Sequence, residues 1–163
     1  MRFTATVVAT TAAIISCVAA QDPDSLEGAQ RRMERLESAA SLRCEFEQGA
    51  QALWENGELS LESARWGASS LVDFDSIDRQ QQTARLTGST GRSNTVALLA
   101  TADTLTFLET PLLGSPNMTT VFAWSPANDS DQFVAVTSRH VAGVLGSTSP
   151  FPSQFYGTCR ILN

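Results

Sequence analysis

The sequence predicts an all-β fold with one N-terminal helix: a small antiparallel barrel or sandwich of about seven to eight short strands, closed by a disulfide between the first and last strands. Three observations predict it. The chain ends in Phe151-Pro-Ser-Gln-Phe-Tyr-Gly-Thr-Cys-Arg-Ile-Leu-Asn163, where Phe155, Gly157, Cys159 and Ile161 share one face at the two-residue period of a strand. Near the other end, Ser41-Leu-Arg-Cys-Glu-Phe-Glu47 alternates cleanly, with Leu42, Cys44 and Phe46 on one face and Arg43, Glu45 and Glu47 on the other. Between these stretches, short alternating runs follow one another with turn residues between them. No helical pattern alternates with them, so a parallel α/β sheet is excluded.

The first twenty residues read as a leader. Met1 to Ala20 carries one positive charge, then a short apolar run, and Val18-Ala19-Ala20 before Gln21 suits signal peptidase. The expected organisation is therefore a signal peptide over 1–20, a helix and linker over 21–40, and a β-domain over 41–163. Ile14-Ile15-Ser16-Cys17 also resembles a lipoprotein box. In that alternative Cys17 is lipidated and the protein is tethered to a membrane instead of free in the periplasm or outside the cell. Either way Cys44 and Cys159 remain, and an even pair in an exported domain is most simply a disulfide.

The net charge is −6, which argues against nucleic acid and against anionic membrane surfaces, because both require a basic footprint. All 11 basic residues are Arg, so no Lys is available as a Schiff base or a tuned amine.

Asp22-Pro-Asp24-Ser-Leu-Glu27 is a helix start, with Asp24 as cap and Glu27 closing a capping box. Leu26, Ala29, Met33, Leu36 and Ala40 then fall at helical spacing, a packing stripe suited to lying across a sheet or a barrel mouth. Asn56-Gly57 is a hairpin turn, although Gly49 and two alanines weaken the arm before it. Strands are expected over 71–75, 82–87, 94–101, 104–110, 119–124 and 132–139. Residues 141–152 read as a long loop before the last strand.

Candidate chemistry is sparse. His140 is the single histidine, and Ser138 stands two residues before it on the same strand face. With Glu109 they form the one weak catalytic set; no Gly-x-Ser-x-Gly elbow is present. Glu109, amid Phe107, Leu108 and Leu112, is the carboxylate whose proton affinity would rise if it faced inward. One histidine and a bonded cysteine pair leave no zinc set, and Asp73, Asp75 and Asp78 do not match a calcium loop, so no metal or cofactor is expected. Trp54 and Trp66 bracket a weak middle segment and suit a barrel mouth that takes an apolar ligand, with Arg139, His140 and Tyr156 as further binding candidates. Asn117-Met-Thr119 and Asn128-Asp-Ser130 fit the N-glycosylation pattern.

In architecture the strand series resembles the lipocalin-like calycins, without their Gly-x-Trp at the first strand. The cysteine pair on a small exported barrel resembles bacterial periplasmic lysozyme inhibitors, without their Ser-Gly-x-x-Tyr loop. Both resemblances concern fold class alone. The expected function is a non-enzymatic exported domain that binds a small apolar ligand or an envelope or extracellular protein partner. Two alternatives stand beside it: a small secreted hydrolase using His140 or a carboxylate pair, and a structural surface lipoprotein anchored at Cys17.

Overall fold

A computed structural model of the chain describes residues 26–67, 71–88, 91–110, 115–125, 131–141 and 150–162. The leader with Cys17, the capping Asp24 and the second glycosylation site at Asn128 lie outside the described residues. Helix α1 (Leu26–Ser38) precedes nine strands: β1 (Leu42–Glu55), β2 (Glu58–Arg65), β3 (Leu71–Asp78), β4 (Thr83–Thr87), β5 (Ser93–Ala100), β6 (Thr104–Glu109), β7 (Asn117–Phe122), β8 (Gln132–Val141) and β9 (Phe151–Ile161). Neighbouring strands run antiparallel in the order β2-β1-β3-β4-β5-β6-β7-β8-β9, and β1 pairs again with β9.

That second pairing closes the sheet. One edge of β1 pairs with β9 from Leu42 to Gln51; the other pairs with β3 from Leu42 to Glu45 and with β2 from Gln48 to Glu55. Eight strands thus form a closed barrel, and β2 is an extra strand folded back on the outer part of β1. Closure removes free edges from the barrel wall and leaves one on β2 among the described residues.

The weak arm expected around Gly49 is instead part of a continuous 14-residue strand. Gly49 is required by close approach: a Cβ there would collide with the Gln154 carbonyl and the Phe155 ring. A Cβ at Gly157 would collide with the Glu45 carbonyl. The two glycines let β1 and β9 draw together. Between Phe46 and Gln48 the register shifts, leaving Glu47 as a bulge whose carbonyl accepts the Trp66 N–H at 3.0 Å. The turn beyond is the expected Asn-Gly type, with φ of 53° at Asn56 and 84° at Gly57.

Cys44 and Cys159 are register partners across the closing seam and are joined by a disulfide; both are 0% exposed. The interior below the mouth is filled. Phe46, Phe74, Phe107 and Phe133 are fully buried, and the rings of Phe74 and Phe107 stack at 3.9 Å. Helix α1 covers one barrel end with Leu36, and Ala39 follows it inward. Of the predicted stripe, Leu36 is buried and Ala29 and Met33 are half-buried, whereas Leu26, 91% exposed, and Ala40 at its two ends face solvent. Arg79 holds the C-terminal end of the helix: its Nη2 donates to the Leu36 carbonyl at 2.7 Å and its Nη1 to the Ala39 carbonyl at 3.1 Å. Burial lowers the proton affinity of this guanidinium, and the negative charge of Glu37 partly offsets that.

The three aspartates near β3 are committed to protein partners. Arg43 grips Asp73 through two bonds of 2.8 Å, and Arg85 grips Asp75 through bonds of 2.6 and 3.0 Å. Asp78 accepts the backbone N–H groups of Gln80 and Gln81, forming a local turn. The Arg85 guanidinium holds the Asp75 carboxyl below its usual range, with the Ser76 hydroxyl adding to the effect. A carboxyl depressed in the folded state stabilises the fold above the unfolded value, about pH 3.9, and loses that contribution as pH falls through the folded value. Thermal melts of wild type and Asp75→Asn are therefore expected to differ by a constant margin near neutrality and to converge below about pH 4. A margin unchanged down to about pH 2 would contradict the assignment.

Candidate binding site at the barrel mouth

The barrel end opposite α1 is lined by side chains that the register places in rows. Glu109 pairs with Asn117, and Asn117 pairs with Arg139, so these three residues stand side by side across β6, β7 and β8. The next row inward is Phe107, Thr119, Thr137 and Phe155. Alternation turns both rows toward the interior. Thr119 donates to Thr137 between their Oγ1 atoms at 2.9 Å, and both residues are buried. This satisfies two hydroxyls in an otherwise apolar floor.

Trp66 lies at this end, directly after β2. Its ring lies 5.4 Å from Phe46 and 4.8 Å from Phe155, edge-on to the latter. The Glu47 bulge positions it, because the freed carbonyl holds the Trp66 backbone. A recess of about 190 Å³ remains. Phe46, Trp66, Val72 and Leu86 form its apolar walls, and Glu109, Asn117, Thr119, Thr137 and Arg139 its polar side. Asn117 Nδ2 donates to Glu109 Oε2 at 2.8 Å and Asn94 Nδ2 to Oε1 at 3.5 Å. The Arg139 guanidinium lies over the Trp66 ring, 5.0 Å from its centroid.

A wider recess of about 890 Å³ lies on the outer face of β1, β8 and β9. Several of its polar groups are engaged with one another or with neighbours: Arg43 with Asp73, Tyr156 with Gln154, and Gln132, once its amide is turned, with Arg160. The mouth is smaller but is concave toward the core and combines apolar walls with a few convergent polar groups, the usual make-up of a ligand site.

Of the residues singled out from sequence, Trp66, Arg139 and Glu109 meet in the mouth. Trp54 stands on the β1–β2 ribbon, opposite Leu59. Ser138 and His140 face outward from β8, where Ser138 Oγ accepts from Gln154 Nε2 at 3.4 Å and the His140 backbone N–H bonds to the Pro116 carbonyl. Tyr156 is on the outer face of β9. The mouth therefore does not bring Ser138 and His140 to Glu109. Sequence reasoning missed Phe46, Leu86, Asn94, Asn117, Thr119 and Thr137 as site residues. A signal was present in β8, where inward Phe133 and Ala135 give way at the same period to Thr137 and Arg139, marking where the apolar interior ends.

Among the described residues, no three His, Cys, Asp or Glu side chains are grouped to hold a metal. No helix among them is long and apolar enough to cross a membrane. The chain matches no protein-family model, and neither a curated protein nor a solved structure shows significant similarity to it.

Proposed function

We propose that the chain is an exported, non-enzymatic barrel that binds a small, chiefly apolar ligand in its mouth. The observation that carries this reading is the recess itself: apolar walls from Phe46, Trp66, Val72 and Leu86 beside a short polar row, above a filled core. The leader-like first twenty residues support export, and the Cys44–Cys159 disulfide is compatible with an oxidising compartment. Lipidation at Cys17 would tether the same barrel to a membrane without altering the mouth.

Calorimetric titration with butanol, hexanol and octanol tests the reading. One saturable site is expected, with affinity rising along the series as more apolar surface is buried. Trp66→Ala is expected to weaken octanol binding about tenfold or more, in line with the loss of one large wall. Trp124→Ala, on an exposed side chain outside the recess, is expected to leave it unchanged. Absence of saturable heat with all three alcohols would end the proposal.

One observation favours a second reading, in which an extended strand of a protein partner adds to β2. Among the described residues β2 pairs only with β1, and its Leu59 and Leu61 are 56% and 75% exposed. A photo-crosslinker at position 61 should then capture the partner in the host envelope, while one at exposed Leu99 on the barrel wall should not. Equal capture at both positions would remove this reading.

A further inference from the structure

We infer that the mouth selects ligands bearing a carboxylate, with Arg139 as the counter-ion and the apolar walls holding a short hydrocarbon body. The inference rests on the proposal that the mouth binds a ligand and adds the charge of that ligand. Arg139 is half-buried, and its guanidinium rests on the Trp66 ring. Among the described residues it makes no hydrogen bond and no ion pair. Its five N–H donors are open to solvent, since none is both buried and unpartnered, and they are therefore available to a ligand entering the mouth.

The natural internal partner is already occupied. Glu109 is two strands away in the same row, but Asn117 stands between them and donates to one carboxylate oxygen, while Asn94 donates to the other. The row thus holds a satisfied carboxylate at one end and an uncommitted cation at the other. A ligand carboxylate meets the planar guanidinium in two parallel N–H···O bonds, a geometry an alcohol cannot match. The aromatic face behind Arg139 fixes the plane in which those donors lie.

Size limits the body of the ligand. The recess of about 190 Å³ falls below the roughly 300–1,000 Å³ of sites for drug-sized molecules and equals roughly six waters at about 30 Å³ each. A carboxylate with a few carbons or a single ring fits within this space, and the end of a longer chain would extend out through the open mouth. The net charge of −6 disfavours loose adsorption of anions over the surface, so carboxylate preference would report on the mouth.

The test is calorimetry at neutral pH on the mature chain, using octanoate, octanol and octylamine as matched probes. Wild type is expected to bind octanoate about tenfold or more tightly than octanol, as one charge-assisted contact predicts, and octylamine most weakly. Arg139→Gln is expected to abolish the octanoate advantage while keeping octanol within about twofold, which also shows that the variant folds. Arg139→Lys should restore part of the advantage, and Arg160→Gln, on the outer face, none of the loss. If octanol binds but octanoate is no tighter, or if Arg139→Gln weakens both equally, the carboxylate inference fails and the binding proposal survives. If none of the probes binds, both fail.

Discussion

Replacing Cys44 and Cys159 together by alanine is expected to lower the unfolding free energy by about 2–5 kcal/mol. The two cysteines are 115 positions apart, so the bridge removes a large loop-closure freedom from the unfolded chain. The loop-entropy relation gives about 4–5 kcal/mol for a loop of this size, and strain or residual unfolded structure reduces the delivered value. Both sulfurs are fully buried at the seam, so alanine also removes apolar packing there. Urea unfolding of wild type, the double variant and the reduced wild type separates these contributions. The reduced wild type retains the sulfur atoms and should lie between the other two. A double variant within about 1 kcal/mol of wild type would show that pairing of β1 with β9 alone holds the barrel shut.

Phe107→Ala is expected to cost about 3–5 kcal/mol, as for a large ring removed from a filled interior. Phe107 is buried on β6, stacks on Phe74 from β3, and stands in one row with its register partner Thr119 and with Thr137. The cavity left cannot collapse readily, because a closed wall resists inward movement more than an open sheet does. Phe74→Ala should cost a similar amount, and the double variant should cost less than the sum, since each single change already breaks the shared stack. Chemical denaturation of the three proteins gives the cycle directly. Strict additivity would mean that the two rings are independently supported and that their stacking adds nothing.

The wall of this barrel was largely legible in the sequence, and its mouth was only partly so. Period-two alternation marked the first and last strands and the strand around Ala84 and Leu86, because a surface wet on one side and packed on the other imposes that pattern, and short runs between turn residues marked the rest. The pair of cysteines on apolar strand faces indicated the seam. Gly49 was read as weakness because its value lies in a contact with Gln154 and Phe155, more than a hundred positions away. The bulge at Glu47 is likewise a register property of two strands and leaves no mark in one of them. At the mouth, Trp66 and Arg139 were singled out as separate residue types. Their meeting depends on the bulge that aims Trp66 and on the alternation that turns Arg139 inward. Glu109 faces inward as well, and two asparagines satisfy it; only Asn117, its register partner, is close to it in sequence. His140 and Tyr156 fall on the outer face because each is one step out of phase with the interior positions of its strand.

The pairing of β1 with β9 also sets the order in which the chain can fold. The first strand is synthesised at the start of the domain and its partner, 11 residues long, at the very end. The successive hairpins from β3 to β8 can form as they emerge, since each joins neighbours in sequence. One full edge of β1 is completed only by the final strand, and Leu42, Cys44 and Phe46, buried in the closed barrel, gain their last wall with it. Domain completion is therefore a single late event of high contact order. A chain interrupted before β9 is left with an unpaired apolar strand, the kind of edge from which misassembly begins.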